Sequence, residues 1–109
     1  MSAYTVTVPI TGTISDAVPS GQYVIGLYIP TIDNSIVYLQ ASQDGVTNWA
    51  RILKSDGTQD WTVAVGTGNK WIFLDQMSPF TYLRIECAAV QTAARQFIFV
   101  FKPNIEGNV

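Results

Sequence analysis

Apolar and polar residues alternate along most of the chain with a period of two, which is typical of β-strands with one buried face. The segment YTVTVPITG places its apolar residues on one side and its threonines on the other. This pattern predicts a first strand in which Ile10 shares the buried face with Val6 and Val8. Because Pro9 has no backbone N–H to donate, the segment is expected at a sheet edge or a strand end.

The rest of the chain repeats this pattern. The other predicted strands are QYVIGLYIP, IVYLQAS, WARILK, WTVAVG, KWIFLD, TYLRIECAA and RQFIFVFKP. The predicted breaks between them are DAVPSGQ, Pro30 with TIDNS, SDGTQD, the TGN turn, QMSPF as a corner or single helical turn, and CAAVQTAAR as a loop. About eight strands at a spacing of roughly 8–12 residues predict an all-β sandwich or barrel.

The 109 residues fit a single domain over 1–109, with short arms predicted at 1–3 and 103–109. Apolar residues make up 48% of the chain and charged residues 13%. A chain with so little charge is expected to hide part of its surface against a partner.

Two segments share the pattern D-G-x-x-[N/D]-W. Asp44-Gly45 precedes Asn48-Trp49, and Asp56-Gly57 precedes Asp60-Trp61. Asp-Gly favours a turn, because glycine accepts a positive φ and aspartate bonds its own backbone. Both segments are therefore interpreted first as corners whose tryptophans open the next strand and are largely buried. If the corners also contact a partner or a glycan, the candidate residues are Asp44, Asn48, Trp49, Asp60 and Trp61.

The residue types argue against an enzyme. The chain has no histidine, so the usual general base and the Ser-His-Asp and Cys-His arrangements are absent. The single cysteine, Cys87, is interpreted as a buried apolar residue. Glu86 and Arg84 are interpreted as members of a cross-strand ion pair. No catalytic residue and no cofactor are predicted.

Metal binding is not predicted either. A zinc site is implausible because zinc needs several cysteine or histidine ligands, and the chain has one cysteine and no histidine. Oxygen ligands for calcium are present in separate turns, without the D-x-D-x-D spacing that would gather them. These are Asp33, Asn34, Asp44, Asp56 and Asp60.

The charge distribution bears on the partners. The net charge is −2, and six basic residues are scattered without forming a stripe, so no nucleic-acid partner is predicted. The longest apolar runs, YVIGLYI and FIFVF, are too short to span a bilayer as a helix, so no membrane partner is predicted. The beginning MSAYTVTV lacks the features of a signal peptide, so the chain is expected to fold in the cytoplasm where it is made.

Three segments carry a resemblance to known proteins: IGLYIPTID (25–33), VYLQASQDGVTNW (37–49) and TYLRIE (81–86). They resemble the strand-turn-strand and the late strand of discoidin-like, galactose-binding-like jelly rolls, and this resemblance implies an all-β, antiparallel, jelly-roll-like β-sandwich of about eight strands. Their combination in a chain of this length looks like small virion proteins of tailed bacteriophages. The chain differs from discoidin domains in lacking the terminal cysteines and the long ligand-binding loops.

The resemblance implies a non-enzymatic virion structural protein. The role expected from it is a capsid decoration (cement) protein, preferably a homotrimer, that binds the major capsid protein or other virion proteins. Two alternatives stay open: a carbohydrate-binding module of a tail or fibre, and a head-tail connector or tail component. For the carbohydrate alternative, exposed tryptophan and tyrosine rings would be needed, whereas the alternating pattern places the rings in the core.

Overall fold

In a computed structural model the chain is described over residues 3–54, 57–74 and 77–103. The fold is all-β and antiparallel, as predicted, with seven strands among these residues instead of about eight. The strands are β1 (Ala3–Val8), β2 (Val18–Pro19), β3 (Val24–Ser42), β4 (Ala50–Arg51), β5 (Thr62–Phe73), β6 (Tyr82–Cys87) and β7 (Arg95–Phe101). One 3-10 turn, Gly21–Tyr23, precedes β3. None of the described residues belongs to a helix long and apolar enough to cross a membrane.

The strands form one sheet that curls into a barrel-like sandwich. The hydrogen-bonded order is β1-β7-β3-β6-β2, and β4 and β5 pair with β3. The first part of β3 pairs with β7, and its last part pairs with β6. A strand that changes partner in this way turns the corner between two sheet layers. In the segment between β1 and β2, Ile14 forms a β-bridge with Glu86 of β6, and the Asp16 carboxylate accepts the Thr7 N–H of β1 at 2.8 Å.

Strands β3 and β5 are longer than the sequence predicts. We expected a break at Pro30 and TIDNS, but β3 runs through these residues and is 19 residues long in all. We also expected a turn at TGN, but β5 runs through it and pairs with β3 from Phe73 to Thr62. The register shifts between Thr31 and Ser35, and a bulged strand tolerates proline and glycine where a regular strand does not.

Other predicted features have mixed outcomes. The first strand ends at Val8, and Ile10 is 59% exposed instead of buried with Val6 and Val8. A turn in which Gly12 N–H donates to the Pro9 carbonyl at 2.9 Å carries the chain off the sheet there.

The corner after β5 is a turn closed by Phe80 N–H and the Met77 carbonyl at 2.9 Å. Of the predicted arms, residues 1–2 and 104–109 lie outside the described residues, and Ala3 belongs to β1.

The core lies between the two layers of the curled sheet. Its centre is formed by fully buried side chains from β1, β3, β6 and β7, and Cys87 is buried with them as predicted. The largest are Phe97, Phe99, Leu27, Ile29, Leu39, Leu83 and Ile85. Burying aromatic and aliphatic side chains of this size stabilises a domain by about 1.5–3 kcal/mol each.

A buried glutamine fixes the loop between β6 and β7, which is irregular as predicted. The side-chain carbonyl of Gln91 accepts the backbone N–H of Asp33 at 2.9 Å, and its amide donates to the Ala89 carbonyl at 3.0 Å. Asp33 in turn accepts the Thr92 N–H at 2.7 Å and pairs with Arg95 at 3.3 Å. Asp33 is therefore occupied in holding this loop against β3.

Candidate functional site

The first predicted corner is a hydrogen-bonded turn built around Asp44. One carboxylate oxygen accepts the N–H groups of Val46 and Thr47 at 2.9 and 2.8 Å, and the other accepts the Thr47 hydroxyl at 2.7 Å. Gly45 has φ 77°, as the Asp-Gly pattern predicts. The bonds from Thr47 are the main reason that the pKa of Asp44 lies well below its usual range. The Asp44 carboxylate therefore serves the turn.

The other two residues of this corner have different surroundings. Asn48 is exposed and has φ 58°, so it provides the last bend before Trp49. The Trp49 ring is half-buried, and the guanidinium carbon of Arg84 lies 4.2 Å from its centre. We expected Trp49 to be largely buried; instead it covers a cation at the surface.

The second predicted corner is a hairpin that joins β4 to β5. Asp60 bridges to Leu53, and its carboxylate pairs with Arg51 at 2.9 Å. The backbone N–H of Trp61 donates to the Ile52 carbonyl at 2.9 Å, and the half-buried side chain packs against the core. Trp61 is therefore part of the packing at the edge of the core, although it is less buried than we expected. Asp56 lies outside the described residues, and Gly57 has φ 74°, as predicted.

A polar network covers the outer side of β3, β4 and β6. Arg51 donates to both Glu86 oxygens at 2.9 and 2.7 Å, and the Gln40 amide donates to Glu86 at 2.8 Å. Arg84 donates to the Gln40 carbonyl at 2.6 Å. Glu86 is thus in an ion pair, but with Arg51 and not with its neighbour Arg84. The Arg51 bonds are the main reason that the pKa of Glu86 is lowered.

These contacts leave little chemistry at the predicted residues. Asp44 bonds within its own turn, Asp60 bonds Arg51, and Trp49 lies on Arg84. No three cysteine, histidine, aspartate or glutamate side chains in the described ranges are grouped so that they could hold a metal ion. Burial raises the pKa of the Cys87 thiol to about 11, which disfavours the nucleophilic thiolate.

A different surface of the molecule exposes aromatic rings. Trp71 of β5 is 62% exposed and pairs across the sheet with Tyr28 of β3. The two ring centres are 4.9 Å apart and the rings are tilted by 48°. The Tyr28 hydroxyl donates to the side-chain carbonyl of Asn69 at 3.3 Å. We call Tyr28, Asn69 and Trp71 the aromatic platform.

The backbone of β5 is irregular beside this platform. Gly66, Gly68 and Asn69 all have positive φ, at 120°, 79° and 58°. A side chain on Gly68 would collide with the Pro30 carbonyl oxygen, so β3 and β5 approach closely at this point. Asn69 follows directly, which places its amide beside Tyr28.

Next to the platform, the sheet ends in a group of exposed apolar residues. Phe73, the last residue of β5, is 92% exposed, and its partner on β3 is Gly26. Ile25 comes directly before Gly26, and Tyr23 lies two residues before Ile25; both side chains are also exposed. Leu74 N–H donates to the Ile25 carbonyl at 3.0 Å, which holds the end of β5 beside them. We call Tyr23, Ile25 and Phe73 the apolar end.

Sequence reasoning missed both surfaces. The expectation that the tryptophan and tyrosine rings lie in the core covers Trp71, which is instead exposed, and no prediction singles out Phe73. The alternation does place Ile72 towards the core and its neighbours away from it. The signal that was available is that both faces of KWIFLD carry large apolar side chains in a strand with glycines on its N-terminal side.

Comparisons of the chain with protein-family models, with curated proteins and with solved structures gave no match.

Proposed function

We propose that this chain is a non-enzymatic structural protein of a phage virion, a decoration protein that binds and stabilises the outer capsid shell. The observation that carries the proposal is the apolar end, in which a phenylalanine is 92% exposed beside two further exposed apolar residues. Exposed apolar side chains brought to one end of a sheet mark a candidate contact surface. The resemblance of three sequence segments to phage virion proteins directs the proposal to a capsid.

The size of the apolar end supports repeated, weak binding. Three side chains expose far less than the roughly 800 Å² per partner of a standard stable interface. A single copy would therefore bind weakly. On a shell that repeats the same site many times, and in an oligomer that engages several sites at once, such contacts add up through effective concentration. We propose a homo-oligomer, preferably a trimer, for this reason and from the resemblance.

The carboxylates described above support a structural role over an enzymatic one. Asp33, Asp44, Asp60 and Glu86 are each held by hydrogen bonds or ion pairs that fix a loop, a turn or a sheet face. Groups used in this way serve rigidity, and a rigid shell component needs it.

The proposal is tested with capsids of the source phage that lack this protein. Purified protein is added, and co-sedimentation with the capsids is measured. We expect saturable binding by the wild type and a clear loss for Phe73→Ser. The matched control is Val46→Ser. This variant removes a side chain that is 77% exposed in the first Asp-Gly corner, which follows the C-terminal end of β3.

The outcomes separate the alternatives. Saturable binding that Phe73→Ser weakens and Val46→Ser leaves intact supports decoration through the apolar end. Binding to isolated tails or connectors, with none to capsids, would instead identify a tail or connector component. Equal binding by both variants would show that the apolar end is not the contact.

A further inference from the structure

The aromatic platform has a chemistry that capsid contact does not require. A contact between proteins needs apolar area, and the neighbouring Phe73 supplies that. The platform adds polar groups placed at the edge of two rings, since Asn69 is exposed and bonded to the Tyr28 hydroxyl. Aromatic faces combined with amide and hydroxyl groups are what a sugar ring needs, because its C–H groups lie on the rings and its hydroxyls require hydrogen bonds.

From this geometry we infer that Tyr28, Asn69 and Trp71 form a binding site for a neutral pyranose of a surface glycan. The inference goes beyond the proposed structural role and does not depend on it. It places glycan recognition on β3 and β5, away from the Asp-Gly corners whose tryptophans are occupied by Arg84 and by the core.

The rings supply the stacking surface. Trp71 is the most exposed tryptophan, whereas Tyr28 is half-buried and fixed between β5 and β7. The two ring centres are 4.9 Å apart and the ring planes are tilted by 48°, so together they form an angled surface and not a flat one. A pyranose seated against Trp71 would therefore have the edge of Tyr28 and its hydroxyl beside it.

The polar groups match a vicinal diol. Because the Tyr28 hydroxyl donates to the Asn69 carbonyl, the hydroxyl oxygen keeps its acceptor capacity and the Asn69 amide keeps its donors. One acceptor and one donor side by side complement two neighbouring hydroxyl groups. Gly66 adds no side chain along β5, and nothing lies within 4 Å of the position that its Cβ would take.

The site is small and open, so its affinity for one sugar will be weak. A monosaccharide has few non-hydrogen atoms, and each atom contributes only a limited free energy of binding. We therefore expect dissociation constants of about a millimolar for a monosaccharide. Several copies on one particle would raise the apparent affinity.

The test is a titration of the intact chain with cellohexaose, laminarihexaose, chitohexaose and a galactan hexaose, followed by two-dimensional NMR. The three tryptophans give three indole N–H signals. We expect the Trp71 indole and the Asn69 side-chain amide to shift in a saturable manner with at least one of these sugars. The signals of Trp49 and Trp61 should stay in place.

Matched variants assign the roles. Trp71→Ala should weaken binding by about tenfold or more, and Tyr28→Phe, which keeps the ring and removes the hydroxyl, by about threefold. Phe73→Ser is the control, because it removes a ring that is more exposed than Trp71 and lies outside the platform, and it should keep sugar binding. The same variant loses capsid binding under the proposed function, so failures of the two proposals are distinguishable.

Several results would overturn the inference. One is the absence of any shift with all four oligosaccharides, each at a concentration about 20 times the expected millimolar dissociation constant. Another is a sugar-induced shift at Trp49 or Trp61 with none at Trp71. Loss of binding in Phe73→Ser equal to that in Trp71→Ala would show non-specific apolar association instead of recognition.

Discussion

The two Asp-Gly corners offer a matched pair for testing how the turns are built. Gly45 has φ 77° and Gly57 has φ 74°, so the backbone cost of alanine should be the same at both positions. That cost is about 1 kcal/mol, because an L-residue resists positive φ. The surroundings differ. A Cβ at position 45 would lie 2.9 Å from the Tyr82 ring, whereas at position 57 nothing lies within 4 Å.

The difference between the two variants follows from this crowding. Forcing extra atoms into an occupied space costs about 1–3 kcal/mol. We therefore expect the free energy of unfolding to fall by about 1 kcal/mol for Gly57→Ala and by about 2–4 kcal/mol for Gly45→Ala. Urea denaturation followed by tryptophan fluorescence measures both values.

A double-mutant cycle isolates the ring. With Tyr82→Ala as background, the cost of Gly45→Ala should drop to the value found for Gly57→Ala, because the two side chains are in contact. Equal losses in the two single variants would refute the crowding argument. No loss for Gly57→Ala would refute the requirement for positive φ.

Three further outcomes are expected. The pKa values of Asp44 and Glu86 lie below the ordinary 3.8 and 4.5, so the unfolded chain binds protons first and the free energy of unfolding should fall as the pH drops below about 4.5; a flat profile between pH 5 and 3 in urea titrations would contradict this. Cys87 is buried and has a pKa of about 11, so a thiol reagent at pH 8 should react at the rate of unfolding; fast labelling of the native chain would contradict the burial. Gln91→Leu leaves the Asp33 N–H and the Ala89 carbonyl without their partner, which should cost about 2 kcal/mol or more in urea denaturation; an unchanged midpoint would show that water replaces these bonds.

Local signals in the sequence predict much of the fold. The alternation in β1, β6 and β7 and the Asp-Gly turns correspond to what the structure has, because one buried face dictates period two and positive φ dictates glycine. The long strands were not predictable in this way. Pro30 and the stretch Gly66–Asn69 look like breaks, and only the pairing between distant parts of the chain carries β3 and β5 through them, with a register shift between Thr31 and Ser35.

The candidate site depends on the same long-range pairing. Tyr28 and Trp71 are 43 positions apart in the sequence, and their contact exists because β5 pairs with β3 in one register. Trp49 and Trp61 follow visible turns, so the sequence drew attention to them first. Which tryptophan stays exposed is decided by Arg84 and by the core, and a single sequence does not show those neighbours.

Electron cryo-microscopy of capsids with and without the added protein tests the central claim most directly. We predict extra density on the outer shell at repeated, symmetry-related positions, fitted by the sandwich with Phe73, Tyr23 and Ile25 facing the capsid. Density confined to the tail or connector would contradict the decoration role. Density in which the corner at Asp44–Trp49 faces the shell and Phe73 points to solvent would contradict the assignment of the apolar end as the contact surface.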